Sequence, residues 1–404
     1  MLIEKPGSYV GGLLLVGGSC IGAGMLALPI LTGIAGFFPS FIMFICAWAF
    51  MKVTALLLLE VSGWFKQGAN ITTIAEHMLG KFGKVLCGTI YLFLFYSLLI
   101  AYISGSGSLG STYFSVLFAS QIPAWSGSLV FAGLCGFVVY LGTQHVDYWN
   151  RVLMFGKIFT YLALVFLGAR YVQFDKLMRS DPQYALFSLP VLIVSFGYHN
   201  MIPTLMSYMK GNIKRVRSVL FSGSLFALVI YLIWEVIVLG IVPVEGEWGL
   251  AKSLTLGRQA SDAIAGILGV SWVSTFAEGL AFFSLLTSFL AQTLALVHFL
   301  TDALKVQRKK HENLSICFLT LFPPLFFSLL YPHLFIKALN FAGGICAVVL
   351  FGILPITLAW IGRYYKKQTS SYRVFGGKPL LIIAMLFAFF IFFFQLSQTF
   401  FSHP

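Results

Sequence analysis

The sequence predicts an all-α protein that crosses a membrane many times, with two of its spans broken in the middle. Three observations carry this. Of 404 residues, 59% are hydrophobic and 10% charged, too little polar surface to clothe a water-soluble globule. Apolar runs of about 20 residues, the length that carries a helix across a bilayer, recur along the whole chain. Two of these runs, about 174 positions apart, hold a glycine-bearing stretch that leads into a proline: Gly22-Ala23-Gly24-Met25-Leu26-Ala27-Leu28-Pro29 and Phe196-Gly197-Tyr198-His199-Asn200-Met201-Ile202-Pro203. A β-barrel would need strands of about ten residues with alternating polarity, and the unbroken apolar run Leu380 to Phe394 contradicts it.

Read in order, the apolar runs place spans 1 to 6 near 10–34, 38–62, 86–112, 126–143, 152–171 and 185–208. Spans 7 to 11 follow near 217–242, 270–301, 314–331, 335–361 and 380–401. The whole of 1–404 reads as one transmembrane domain. No small-x-small cleavage site follows the first apolar core, so that run is expected to stay as the first helix. Residues 64–85, with Ile71, Ile74, Ala75, Met78, Leu79 and Phe82 at helical spacing, predict an amphipathic surface helix. Residues 243–269 predict an outer loop with a short helix, a candidate lid, and the basic loop 362–379 serves orientation.

Orientation follows from the placement of the basic residues, which also explains the net charge of +13 without nucleic acid as a partner. With the N-terminus in the cytoplasm, 18 of the 26 fall in inner loops: Lys5, Lys66, Lys81, Lys84, Arg151, Lys210, Lys214, Arg215, Arg217, Lys305, Arg308, Lys309, Lys310, Arg363, Lys366, Lys367, Arg373 and Lys378. An odd number of spans then puts the C-terminus outside. Cys20, Cys46, Cys87, Cys135, Cys317 and Cys346 sit in apolar runs with no C-x-x-C spacing, and read as small packing residues, with no metal site or disulfide expected.

The two breaks are separated by five helices, an odd number, which reverses their direction through the membrane. Spans 1–5 (about 8–171) and 6–10 (about 184–361) therefore read as inverted repeats, with span 11 added. Unwound backbone frees N–H and C=O groups that lipid cannot satisfy, so it is tolerated at this depth only where it lines a polar cavity. Paired broken spans are the sequence signature of a transporter with its site at the midplane. A zwitterionic amino acid suits such a cavity, because half-helix N-termini offer N–H groups to its carboxylate and unwound carbonyls accept from its ammonium. The carboxylate is expected near Cys20 to Gly24, including Gly22 and Ala23, and the amino group between Gly17, Gly18 and the 195–198 stretch, with Ser19 beside them. Two plainer explanations compete. Gly18 and Gly22 satisfy a small-xxx-small packing motif, but the paired prolines and the polar cluster Ser195, Tyr198, His199, Asn200 argue for a site. Gly22-x-Gly24-x-x-Ala27 nearly matches a dinucleotide fingerprint, yet no βαβ context surrounds it, and no cofactor is expected.

With Pro203 and Tyr208 following, the stretches Gly22 to Pro29 and Ser195-Phe196-Gly197-Tyr198-His199 resemble the bacterial hydroxy and aromatic amino acid permeases, which include tyrosine-specific and tryptophan-specific permeases. The resemblance runs across nearly the whole chain in helix number, loop sizes and motif placement, and Tyr198 departs from it, standing where Phe is more usual. It implies a LeuT-like fold of the amino acid, polyamine and organocation superfamily, in the bacterial inner membrane, importing tyrosine or tryptophan with a proton. Sodium-independent members of that superfamily similarly carry a lysine in span 5.

Ionisable groups within spans point inward, because each is expensive in hydrocarbon. Lys157, about two turns into span 5, is the first candidate for proton coupling, with a snorkelling role as the alternative. His199, within the second break, is a candidate for both substrate contact and proton relay. Glu235 and Glu278 are placed toward the outer ends of spans 7 and 8, within reach of water, with a coupling role open. Lys52 and Glu60 are read as structural members of one network, and His298 as an interfacial residue. Tyr96, Ser97 and Tyr102 of span 3, Asn340 and Phe341 of span 10, and Phe196 are the expected wall of the side-chain pocket. Aromatic richness proves nothing by itself: most of the 42 phenylalanines, the Phe387 to Phe394 cluster among them, must face lipid or pack. An enzyme is disfavoured because no H-E-x-x-H, G-x-S-x-G or carboxylate pair within one span occurs. A channel would not need paired broken helices, and a sodium symporter is the main rival within the carrier class.

Overall fold

The structure, a computed structural model, describes residues 7–65, 70–118, 123–269, 271–306, 312–369 and 372–401. Lys5, Lys66, Arg308, Lys309 and Lys310 of the orientation argument lie outside these. Among the described residues eight helices are long and apolar enough to cross a membrane. A ninth span is the bent pair Tyr9–Cys20 and Gly24–Thr32, and Ala124–Tyr140 and Leu314–Leu330 are shorter apolar helices, so the order of the eleven expected spans is found.

Span 1 is the bent pair, and span 2 is Phe37–Ser62. Span 3 belongs to the continuous element Ile71–Phe118, kinked at Gly80, whose φ of 74° is a left-handed value that glycine adopts freely. The short arm before this kink is the predicted amphipathic helix. Ile71, Ile74, Ala75 and Met78 are buried, whereas Phe82, beyond the kink, is exposed, because the kink rotates it off the buried face. Spans 4 and 5 are Ala124–Tyr140 and Thr143–Gly168. Span 6 is split into Leu189–Ser195 and Ile202–Tyr208, and span 7 is Ile213–Ile241. Spans 8 and 9 are Ser271–Ala303 and Leu314–Leu330. Span 10 joins Phe335–Phe341, a π-helical stretch Ala342–Ile353 and Leu354–Tyr364, and span 11 is Gly377–Phe401.

The packing obeys an exchange of each span with the one five later. Span 1 packs on span 7 as span 6 packs on span 2, span 5 packs on span 8 as span 10 packs on span 3, and spans 3 and 8 meet each other. The outer loop holds two short helices in place of the one expected, Leu250–Leu256 and Ala260–Leu268, parted by Gly257 at φ 65°. Gln259 caps the second, and its side-chain Nε2 donates to Gly105 O of span 3 at 2.9 Å, fastening this lid to the bundle.

Prolines inside spans explain two of the cross-links. A proline within a helix leaves the carbonyl four residues back without its usual donor. Pro29 frees Met25 O, and the Trp234 indole donates to it at 2.9 Å. Pro323 frees Leu319 O, and the Tyr96 hydroxyl donates to that at 2.8 Å. Pro203, in contrast, stands in the first turn of its half-helix, where no such bond is lost.

Candidate functional site

The first helix ends at Cys20 because Ile21 leaves helical geometry (φ −73°, ψ 81°), and the chain turns by 56° before the outer half-helix starts at Gly24. Neighbouring spans hold the groups this turn releases. The Lys157 ammonium donates to Ile21 O at 2.8 Å and to Thr287 Oγ1 at 3.3 Å. Ala23 N–H donates to Ser288 Oγ at 3.0 Å. The Tyr231 hydroxyl lies 2.5 Å from Cys20 O and 3.0 Å from Ser195 O, so its single proton ties the two breaks together. The glycines are needed for space: a Cβ on Gly22 would stand 2.6 Å from Ser288 Oγ, and one on Gly24 2.7 Å from Ser195 Oγ.

The second break runs from Phe196 through Tyr198 into a single 3-10 turn, His199–Met201. Here the polar atoms are left over. Ser195 Oγ, Tyr198 OH, His199 Nδ1 and Asn200 Oδ1 are buried without a hydrogen-bond partner among the described residues. Such orphans are uncommon in native interiors, and each needs a reason.

A cavity of about 130 Å³ lies between the breaks. Gly18, Ser19, Cys20, Gly22, Ala23 and Gly24 line it from span 1, and Ser195, Gly197 and Asn200 from span 6. Lys157, Asn150 and Met154 come from span 5, and Thr287, Ser288 and Gln292 from span 8. Opposite them is an apolar wall of Tyr91, Leu94, Phe95, Leu98 and Tyr102 on span 3, with Leu339 and Phe351 of span 10. Gly18, Asn150, Asn200 and Gln292 sit on the side of the bundle that carries the N-terminus, where Ala291 at the rim is exposed. The far side is sealed by the Trp234–Met25 bond and by Thr32, whose hydroxyl is shared between Leu28 O and the buried Glu235.

The structure thus gathers Gly18, Ser19, Cys20, Gly22, Ala23, Gly24, Tyr102, Lys157, Ser195, Gly197 and Asn200 of the expected site around one cavity. It sets others apart. Tyr96 corrects the expectation: six residues before Tyr102, it lies about 120° round the helix and faces span 9, where Leu319 O takes its hydroxyl. Ser97 bonds back to Phe93 O at 2.7 Å. Phe196 is fully buried, with its ring 5.3 Å from that of Tyr231 and nearly perpendicular to it. His199 is held in the packing by Thr54 Oγ1 at 2.9 Å and by the Phe351 ring stacked at 4.9 Å, and Tyr198 is buried beside it, both outside the lining. Asn340 and Phe341 also fall outside it. Glu278 is half-buried and outside the lining, and its negative charge adds to burial, the larger cause, in pushing the Asp262 carboxyl of the outer lid helix up to about 6. Glu235, expected within reach of water, is fully buried, and one of its oxygens has no partner.

Lys52 and Glu60 share no network. Glu60 is paired with Arg363 at 2.5 Å, both side chains buried, whereas the Lys52 ammonium sits 4.4 Å from the centre of the Trp48 ring. His298 is 3.3 Å from both Glu312 Oε1 and Thr143 Oγ1. The sequence reading missed Tyr91, Leu94, Phe95 and Leu98. Their spacing of three and four residues, in phase with Tyr102, was the available signal. It also missed Asn150, Thr287, Ser288 and Gln292, for which no local signal existed.

Two broken helices meeting at a polar cavity, within two inverted five-span units, define a transporter of LeuT-like fold. The same architecture is seen in the crystal structure of MhsT in complex with L-phenylalanine, with a TM-score of 0.65 and 12% identity over 98% of this chain and 100% of that one. The chain belongs to the tryptophan/tyrosine permease family, whose family model matches residues 5–395. It is 32% identical over 380 residues to the tyrosine-specific transport system 1 of Haemophilus influenzae, covering 93% of this chain and 94% of that one. It is also 32% identical to a tryptophan-specific transport protein of Shigella flexneri (94% and 92% covered) and 30% identical to a low affinity tryptophan permease of Escherichia coli K12 (95% and 94%). These are transport proteins and not enzymes, which agrees with the lack of catalytic motifs in the sequence.

Proposed function

We propose that this protein imports an aromatic amino acid, tyrosine or tryptophan or both, together with a proton, by alternating access across a bacterial inner membrane, with its N-terminus inside and C-terminus outside. The relatives named for tyrosine and tryptophan transport support the substrate class. The observation that carries the mechanism is the cavity between the breaks, which pairs backbone and orphan polar atoms on one side with an apolar wall on the other. The amino acid head group binds between Gly22 to Gly24 and the 195–197 stretch, and its ring lies against Leu94, Phe95, Leu98 and Phe351. Exposure of the cavity toward the N-terminal side supports reading this conformation as inward-facing. Lys157 couples the proton: its ammonium bridges Ile21 O of the broken span to Thr287 of span 8, so its protonation holds spans 1, 5 and 8 together and its deprotonation releases them.

Uptake of labelled tyrosine and tryptophan into proteoliposomes under imposed proton or sodium gradients tests the reading. Accumulation driven by an inward proton gradient without sodium is expected, with excess tyrosine or tryptophan suppressing it far more than leucine, serine or lysine. A requirement for sodium would overturn the coupling, and equal inhibition by leucine would overturn the aromatic preference.

A further inference from the structure

A second cavity, of about 340 Å³, lies away from the transport site in the seam between spans 2 and 7, lined by Lys52, Leu56, Arg217, Ser218 and Phe221. Two cations face it without a carboxylate. The Lys52 ammonium rests against the Trp48 and Phe221 rings, at 4.4 and 5.4 Å from their centres, and the Arg217 guanidinium lies 5.5 Å from the centre of the Tyr372 ring. Neither joins an ion pair among the described residues. Glu60, two turns further along span 2, is committed elsewhere: Arg363 Nε and Nη2 reach its two oxygens at 2.8 and 2.5 Å, and Val374 N–H donates to it at 2.7 Å.

The depth of this pair decides what neutralises it. The Trp48 Nε1 to Ser224 Oγ bond, 3.1 Å, fixes the antiparallel register of the two spans. Counting at about 1.5 Å per residue from Ile213, Arg217 lies ~6 Å inside the end of span 7 and Lys52 ~10 Å. The polar zone of a bilayer leaflet is about 5–7 Å thick, so with the end of span 7 taken as the outer edge of that zone Arg217 stands at the base of the head groups and Lys52 just below it. An unpaired charge at that depth is costly and draws a counter-ion, and phospholipid phosphate is the anion the surroundings supply at that level. Phe221, exposed to the bilayer, and Leu56 offer apolar surface beneath for an acyl chain.

We propose that the seam between spans 2 and 7 binds an anionic phospholipid, with Lys52 and Arg217 holding the two free oxygens of its phosphodiester and its acyl chain lying along Phe221 and Leu56. Because span 7 also carries Tyr231, which ties the two breaks, a lipid held here braces the helix on which the transport site depends.

Thermal unfolding of the purified full-length protein in detergent, with added phosphatidylglycerol, phosphatidylcholine or glycerol 3-phosphate, tests this. Phosphatidylglycerol is expected to raise the midpoint by several degrees more than phosphatidylcholine, and glycerol 3-phosphate to leave it unchanged. The double substitution Lys52→Gln/Arg217→Gln removes the difference between the lipids. Should that variant fail to assemble, Lys52→Gln alone reduces the difference, while Lys52→Arg keeps it. Equal shifts from the two lipids, or an unchanged difference in the Gln variants, would overturn the proposal. A shift from glycerol 3-phosphate matching that from phosphatidylglycerol would overturn the lipid assignment in favour of a free phosphate site.

Discussion

The two breaks are built from like sequence and finished differently. At the first, the backbone groups that the turn releases have partners: Lys157 on Ile21 O, Ser288 on Ala23 N–H and Tyr231 on Cys20 O. At the second, four buried polar atoms from Ser195 to Asn200 have none among the described residues. A buried polar group left unpaired costs about 1–3 kcal/mol, so those that line the cavity form a standing demand for a partner that the described residues do not supply. Ser195 and Asn200 face the cavity, and in the proposed mechanism a substrate meets that demand. The first break is then a fixed cradle, held by spans 5, 7 and 8, and the second is the half that answers to what is bound.

The largest effects are expected where the cradle has no room. Gly24→Val brings a side chain against Ser195 Oγ, and Gly22→Val against Ser288 Oγ, so both should reduce uptake more than a hundredfold while the protein still inserts. Near-normal uptake by either variant, at matched membrane expression, would reduce the first break to helix packing.

Next comes Lys157→Ala, which leaves Ile21 O without its charged donor, a bond of about 1.5–3 kcal/mol. Proton-driven accumulation should be lost in proteoliposomes, whereas exchange of internal for external substrate survives. Accumulation equal to wild type would refute the coupling assignment.

A smaller loss is expected from Tyr231→Phe, which removes the one proton shared by the two breaks and keeps the ring that packs on Phe196. About 1.4 kcal/mol of lost support corresponds to roughly tenfold weaker binding, readable by equilibrium binding of labelled substrate. An unchanged Kd would show that the breaks are held independently of each other.

The smallest effect on binding should come from His199→Asn. This imidazole stacks on Phe351 and meets Thr54 outside the cavity, so the substitution should lower the melting temperature and change the Kd less than threefold. A larger loss of affinity, with stability intact, would return His199 to the binding site.

How much of this was legible in the sequence depended on distance along the chain. The breaks were, because glycine and proline interrupt an apolar run locally and the five-helix separation sets their inversion. Lys157 was, because a lysine in a span is conspicuous. Partners brought in from remote spans were not: nothing near Pro29 announces that Trp234 takes the carbonyl it frees, and nothing near Tyr96 announces that Pro323 frees Leu319 O. Glu235 read as water-facing because hydropathy gives depth along a span and not the direction a side chain points. Its burial against Thr32 is a matter of how span 7 is rotated. The span 3 wall was readable in principle from the spacing of Tyr91, Leu94, Phe95, Leu98 and Tyr102, which excludes Tyr96 from the same face.

The most direct test of the difference between the breaks is a structure with tyrosine or tryptophan bound. The account predicts the carboxylate beside the Gly22 to Gly24 turn, the ring against Leu94, Phe95 and Phe351, and Ser195 Oγ or Asn200 Oδ1 newly hydrogen-bonded, at about 3 Å, to the ligand or to a water it holds. A ligand seated elsewhere, or seated here with both of those atoms still unpartnered, would contradict it.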